Sequence, residues 1–439
     1  MKSRTLGIVL CLCLLAAPGL AAEFQPMGFK SLSMGGAGVA AANGAYAAYF
    51  NPALLAGGKD VVQVALSASM GAREYNLAES VDELSEVDID NTMDRLSNLT
   101  PAQILAGALS DPQLRQDLIT VQAELYDLSG GNGLQLMPGV SLGVQVGGLG
   151  FGVYGVSEAT AYAVIDPNRL DIIVQEPISG VYFQYNPVTD ALTVSSAAAY
   201  QASSIEYAAD NGYHYIQLNG LAYAEIPVAC GHAFEGDFGR LALGASAKLM
   251  PGATFRKKIM VDTESGEIDD ELDNAREDSL AFGVDAGALY SPSMVKNLTV
   301  GLVAKNLNTP AFSAKTGPDV ELDPQLRAGA TLTFLDERLT VALDYDLTSN
   351  ETFLPGYDSQ MVGGGVAFEP VSWFSVRGGV MKNIQEDEEG TIFTAGLGFG
   401  AKWFQLDVAG QVSDKWGTYD EYDIPRYTRV QVSLVSKWF

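Results

Sequence analysis

The side chains able to do chemistry in this chain are few, and their spacing suits none of the usual reactions. His214 and His232 are the only histidines. Neither stands in a nucleophile or zinc motif, so no catalytic residue is assigned and an enzyme is not expected. Cys11 and Cys13 lie in the first apolar run, which leaves Cys230. One thiol makes neither an internal disulfide nor a cysteine-only zinc site. The acidic stretch at residues 262–278 (DTESGEIDDELDNARED) lacks the ligand spacing of a calcium loop and reads as solvated. Gly58 and Lys59 are followed by Asp60, without the upstream glycine that a phosphate loop needs. Neither a metal nor a cofactor is expected.

What remains is chemistry of fit. Residues 24–58 are rich in Gly and Ala, nearly free of charge, and include the run Tyr49, Phe50, Asn51, Pro52, Ala53, Leu54 and Leu55. Small residues allow close backbone approach, and Pro after Asn fixes a turn. The stretch lacks the period of a surface helix, so it reads as a plug that the rest of the chain encloses. A second set is the charges set singly among apolar residues: Arg240, Lys248, Asp285, Lys305, Arg327, Asp344, Asp346, Arg377, Asp407 and Arg429. A basic side chain facing lipid at mid-membrane costs on the order of 2–4 kcal/mol. If the chain crosses a membrane as strands, these residues therefore face the lumen. There they brace plug against wall or line an aqueous path.

The elements that must carry these residues begin behind an export leader. Lys2 and Arg4 precede an apolar run and small residues at 18–21, so residues 1–21 read as a signal peptide. Its loss takes two of the 26 basic residues and none of the 53 acidic ones, leaving a net charge of −29. Nucleic acid is excluded as a partner on that charge. No later apolar run reaches the length of a membrane helix. Residues 22–60 form the plug, and 61–439 the main domain.

Within that domain, residues 71–132 read as an acidic helical insertion. Thr100-Pro101 with Gln103, and Asp111-Pro112, are helix starts, and Leu114, Leu118, Val121 and Leu125 recur at helical spacing. That apolar stripe is expected to rest on a barrel mouth or interior. From Leu134 on the period is two: Leu339, Val341, Leu343, Tyr345 and Leu347 alternate with Thr340, Ala342, Asp344 and Asp346. About fourteen strands follow, at 61–70, 134–146, 149–163, 215–234, 238–256, 279–290, 297–306, 325–335, 338–347, 359–368, 372–382, 391–400, 403–412 and 427–439. Alternation alone fits a sandwich or a membrane barrel. Connection lengths separate them: Gly147-Gly148 and Asp336-Glu337 are tight turns, whereas 71–133, 164–214 and 257–278 are long. Short connections on one side and long ones on the other mark an outer-membrane barrel. The expected fold is therefore all-β, a transmembrane antiparallel barrel with a plug and a helical extracellular insertion. Trp373, Trp403, Tyr290 and Trp438 would supply aromatic girdles in contact with outer-membrane lipid. Gly155, an isolated strand glycine, is a candidate kink.

The leader, the Gly/Ala-rich plug ending in Asn51, Pro52 and Ala53, and about fourteen strands together resemble the FadL-like outer-membrane transporters of fatty acids and aromatic hydrocarbons. Residues 31–40 (SLSMGGAGVA) with 50–55 (FNPALL) are most similar to a β-barrel subgroup labelled conjugal transfer protein TraF. The resemblance implies a hydrophobic small-molecule ligand passing a mobile plug whose tip is Asn51, Pro52 and Ala53, with release possible through a kinked strand. It also implies hand-over to the barrel assembly machinery through the terminal aromatic Phe439, and periplasmic termini. A thiol-exchange role, by contrast, needs paired cysteines that the mature chain lacks. The other reading is a barrel that does not transport and serves secretion, conjugation or envelope structure by binding a partner.

Overall fold

The computed structural model describes residues 23–42, 44–57, 62–260, 274–401, 403–420 and 422–438. The leader, residues 58–61, most of the acidic stretch after 260, and Phe439 lie outside them. Fourteen strands close one antiparallel barrel: β1 Val62–Tyr75, β2 Gly133–Val146, β3 Leu149–Val164, β4 Tyr215–Gly236, β5 Gly239–Ile259, β6 Glu277–Pro292, β7 Leu298–Lys305, β8 Gln325–Phe334, β9 Leu339–Asp346, β10 Met361–Val371, β11 Phe374–Asn383, β12 Thr391–Gly400, β13 Phe404–Ser413 and β14 Tyr427–Trp438. Closure is by β1 on β14, from Val62 opposite Trp438 to Arg73 opposite Tyr427. The first strand runs five residues past the expected end, because Arg73 and Tyr75 still alternate inward with Ala72 and Glu74 paired in the same ladder.

The alternation is inside out for a soluble protein. On β13, Leu406 and Val408 are each 47% exposed while Asp407 is 0% and Gln411 3% exposed. The same phase recurs on β9, where Leu343 is 54% exposed and Asp344 4%. Apolar side chains outside and charges inside are stable only when the outer phase is hydrocarbon. Trp373 and Trp403 are exposed at the short-turn end, where amphipathic rings sit at a membrane interface. No helix among the described residues is long and apolar enough to cross a membrane.

The wall is uneven. β4 has 22 residues and β7 only eight, against the 9–11 that a tilted crossing takes. The long strands β3–β6 rise above the others, and a cap is built from two connections, β1 to β2 and β3 to β4. The first holds helices Ala78–Glu86, Ile89–Ser97, Pro101–Ala106 and Pro112–Leu128. Thr100 and Gln103 close a reciprocal cap at the third of these, and the Asp111 side chain accepts from the Gln113 and Leu114 N–H groups at the fourth. The second connection, 164–214 in the sequence, reads there only as a long connection. It folds into a sheet of Ile172–Gln175, Tyr182–Asn186 and Ala191–Val194 with two short helices. The apolar stripe of the long helix packs on that sheet and not on the barrel: Leu114 and Leu118 share one core with Ile172, Val174, Phe183 and Tyr185. The sheet's apolar face is the nearer partner, and each element covers the other.

His214 pins this second connection to the wall. Its Nδ1 accepts from the Asp166 N–H at 3.3 Å and its Nε2 faces the Arg169 carbonyl at 3.0 Å, which fixes the neutral ring with the proton on Nε2. Burial holds its pKa below the ordinary 6.5.

Candidate functional site

Residues 23–42 and 44–57 lie inside the barrel, and the wall is cut to receive them. A side chain at Gly143 would overlap the Ala45 carbonyl, at Gly244 the Pro52 and Ala53 backbone, and at Gly287 the Asn51 side chain. Gly35, at φ +65°, sits so close to Gly364 and Val380 that no Cβ fits there either. The glycines on both partners thus let main chain meet main chain.

Polar bonds then fix the segment. The Asp344 carboxylate accepts from the Gly38 and Val39 N–H groups at 2.7 and 2.9 Å. Tyr154 donates to the Ala45 carbonyl at 2.7 Å, and Gln411 to that of Leu32 at 2.8 Å. Asn51, fully buried, donates to the Val39 carbonyl at 3.0 Å and reaches the Ala288 and Leu302 carbonyls of the wall at 3.4 Å. Its Oδ1 accepts from the Ala53 N–H at 3.0 Å, so the turn after Pro52 is closed by the same side chain that ties it to β6 and β7. Around it Tyr49, Phe50, Ala53 and Leu55 are buried, and Leu54 is partly so.

The first three described residues are held most heavily. Glu23 pairs with Arg73 at 2.6 Å, and Arg73 also bonds Glu389 at 3.0 Å. The Phe24 ring lies under Arg327 at 4.0 Å and Lys305 at 4.9 Å. Gln25 donates to Glu158 at 3.0 Å, accepts from Arg429 at 3.1 Å, and takes the Tyr49 hydroxyl on its carbonyl at 3.0 Å.

Nine of the ten charges singled out by alternation lie buried on the lumen side. Lys248 bridges Glu225 and Asp285 at 3.1 and 3.0 Å, and Lys305 reaches the same Glu225 at 3.2 Å while resting 3.6 Å over the Tyr49 ring. Arg327 pairs with Asp346, and Arg377 with Asp407. Arg240 stands apart at the short-turn rim, where it donates to the Ala56 carbonyl at 2.8 Å and pairs with the exposed Glu235. Glu158, Glu225 and Arg73 escaped the sequence reading although their inward phase marks them. Glu389 and Phe312 escaped it because they come from connections without a period.

The upper lumen is apolar. Phe24, Tyr49, Phe50, Tyr154, Tyr223, Met250 and Phe312 belong to one buried cluster. Phe312 arrives on a small hairpin, Ala311–Phe312 with Val320–Glu321, and its ring lies 5.3 Å from that of Tyr223. A void of about 10 Å³ between Phe24, Gly36, Arg327 and Asp344 is at the limit for one water, so the fit there is tight. Below the segment, a polar vestibule of about 590 Å³ opens at the short-turn end, lined by Lys30, Thr299, Thr331 and Thr340.

On the lipid side of the same cluster the wall is recessed. A depression of about 610 Å³ lies across β2–β6, lined by Pro138, Gly155, Ala222, Ala224, Pro251 and Ala253, with Tyr223 and Gly252 behind. Three ladders drop pairs around it: Met137 and Pro138 against Ser157 and Glu158, Gly152 and Val153 against Ile226 and Pro227, and Ala224 and Glu225 against Met250 and Pro251. Each gap contains a proline, which has no N–H to give. Gly155 keeps its partners Val140 and Ala224. The break thus lies two residues beyond it, and Gly155 lines the recess without itself interrupting the strand. Among the described residues, no group of acidic, histidine or cysteine side chains is arranged to hold a metal.

Solved structures similar to this chain include the toluene transporter TbuX of Ralstonia pickettii, at 14% identity and TM-score 0.46 over 94% of this chain and 98% of that one. The toluene transporter TodX of Pseudomonas putida aligns at 12% identity and TM-score 0.44, over 96% and 99%. A FadL homologue from Pseudomonas aeruginosa aligns at 11% identity and TM-score 0.45, also over 96% and 99%. No curated protein matches the chain by sequence. The profile of the family described as F plasmid transfer operon, TraF, protein matches residues 48–346. That span takes in the end of the enclosed segment, the cap and the first nine strands, more than half of the chain, and the protein belongs to this TraF family.

Proposed function

We propose that this barrel stands in the outer membrane of a Gram-negative cell, with its termini and short turns periplasmic. There it moves small hydrophobic molecules of the fatty-acid or hydrocarbon kind. The ligand gathers at the long connections, passes beside residues 23–57 acting as a mobile plug, and leaves sideways through the recess. The recess carries this reading. It is lined mainly by small and apolar side chains on the lipid face, with Arg276 and Asp278 at its edge, and the β2–β3 and β4–β5 ladders drop pairs at its lining residues Pro138, Ser157, Ala224 and Pro251. Its rear wall, Tyr223 and Gly252, is the outer boundary of the aromatic cluster in the lumen. A molecule there exchanges one apolar surrounding for another without meeting water.

The test fills the recess from outside. Ala222→Phe with Ala224→Phe places two rings in it and leaves the lumen untouched. In liposomes, transfer of a fluorescent fatty acid by the double variant falls severalfold while the folded barrel keeps its heat-sensitive mobility on gels. Unchanged transfer by a folded variant removes the recess from the route. Replacing Asn51 and Pro52 alters transfer if the plug moves.

A barrel that binds an envelope partner and passes nothing is the second reading. It is favoured by the glycine-lined fit of residues 23–57. It requires equal transfer by wild type, double variant and protein-free liposomes.

A further inference from the structure

We infer that the cap holds a docking groove for a cationic amphipathic segment of a partner protein. The helix Pro112–Leu128 has two apolar faces. Leu114, Leu118 and Val121 are buried inside the cap. One stripe over, Ile119, Ala123 and Tyr126 line an open groove of about 430 Å³ with Pro167 and Val188 opposite and Leu170 as its floor. Tyr126 is 66% exposed and Val188 92%. Exposed apolar side chains gathered along a groove mark a contact surface rather than ordinary scatter.

The groove is preformed. Gln122 donates to the Leu170 carbonyl at 2.6 Å across its floor. The Asn186 side chain accepts from the N–H groups of Val188 and Thr189 at 3.0 and 3.1 Å, which holds the opposite bank in one turn. Little ordering is left to oppose binding.

Charge decides the occupant. Residues 76–132 hold 11 acidic and two basic residues, and 165–214 hold six and one. The three arginines are already engaged: Arg95 with Asp111 and Asp117, Arg115 with Asp190, and Arg169 with Asp166. Asp127 stands on the groove itself. An acidic segment would meet this field unopposed, whereas an apolar stripe flanked by Lys or Arg satisfies both groove and rim. That is the helix-in-groove mode of recognition, with the charges setting rate and choice of partner.

The experiment uses the full chain in nanodiscs of zwitterionic lipid, with empty nanodiscs as reference. The probe is a labelled Lys/Leu amphipathic helix of about five turns, compared with its Glu/Leu counterpart by fluorescence anisotropy. The Lys/Leu helix binds above the reference, and added salt weakens it. Val188→Asp weakens binding about tenfold, which corresponds to ~1.4 kcal/mol, although it adds a negative charge to an acidic surface. Val188→Ile, which keeps the apolar contact, leaves binding unchanged. Equal or tighter binding to Val188→Asp would mean adsorption by charge alone and overturns the proposal. So does equal binding of the Glu/Leu helix. Dimerisation of the protein that Val188→Asp abolishes overturns it too, because the occupant would be a second copy.

Discussion

At the scale of single residues the lumen is a set of ion pairs closed away from water, and the cost of breaking one depends on its depth. Lys248 is the clearest case. Its ammonium serves Glu225 and Asp285 together, and all three are within 1% of full burial. Lys248→Met leaves Asp285 with the Asn306 N–H at 2.9 Å and Glu225 with Lys305 alone. The expected loss is ~3–5 kcal/mol, read by urea unfolding of the barrel in detergent. Arg240→Met at the rim, where Glu235 is 71% exposed, changes the same curve by less than about 1 kcal/mol. Equal effects would mean that the Lys248 cluster is hydrated. Alternation tells on which side of a strand such charges lie. It does not tell that Glu225, Lys248, Asp285 and Lys305, on four successive strands, come to one level, because level follows from strand tilt and register.

At the scale of elements the cap shows where sequence patterns stop. The helices from 100 to 128 announce themselves through Thr100, Pro101, Gln103, Asp111 and Pro112. The sheet after 165 does not, because strands of four and five residues such as Ile172–Gln175 are too short to display a period. The same segment carries a pH dependence. Burial favours neutral His214 in the folded cap; the backbone hydrogen bonds to Arg169 and Tyr213 and the Asp166 charge oppose that bias, and the Arg169 charge adds to it. The folded pKa is thus below the unfolded one, and the stability that the ring contributes is complete above about 6.5. It is lost as pH falls below that value. Residues 165–214 are therefore cut faster by protease at pH 5.5 than at pH 7.5, and His214→Gln removes the difference. A variant that keeps the full pH difference would place the switch elsewhere.

At the scale of the molecule, barrel and enclosed segment form one body. Backbone N–H groups of residues 35, 38, 39 and 45 find their acceptors on the wall, and the space over the inward glycines Gly143, Gly244, Gly287 and Gly363 is filled by that segment. Deleting residues 23–57 leaves fourteen strands around a polar, charged interior. In a planar bilayer the truncated barrel is expected to conduct ions steadily while the intact protein is silent. A truncated barrel that assembles and stays silent would show that the connections at the mouth, with Phe312 and Phe353 in the same cluster, suffice as a seal.

The sequence by itself determined strand number, the face each strand turns to lipid, and the segregation of short and long connections. Each is a local property, set by a period of two and by turn residues a few positions apart. Tertiary structure decided which parts of the chain meet: the Asn51 turn on β6 and β7, the helix stripe on the sheet of a connection some fifty residues later, and the recess that brings Pro138 of β2 and Pro251 of β5 to one depression. Those meetings depend on barrel closure and strand stagger, which sum small twists over the whole circumference and leave no trace in any short window of sequence.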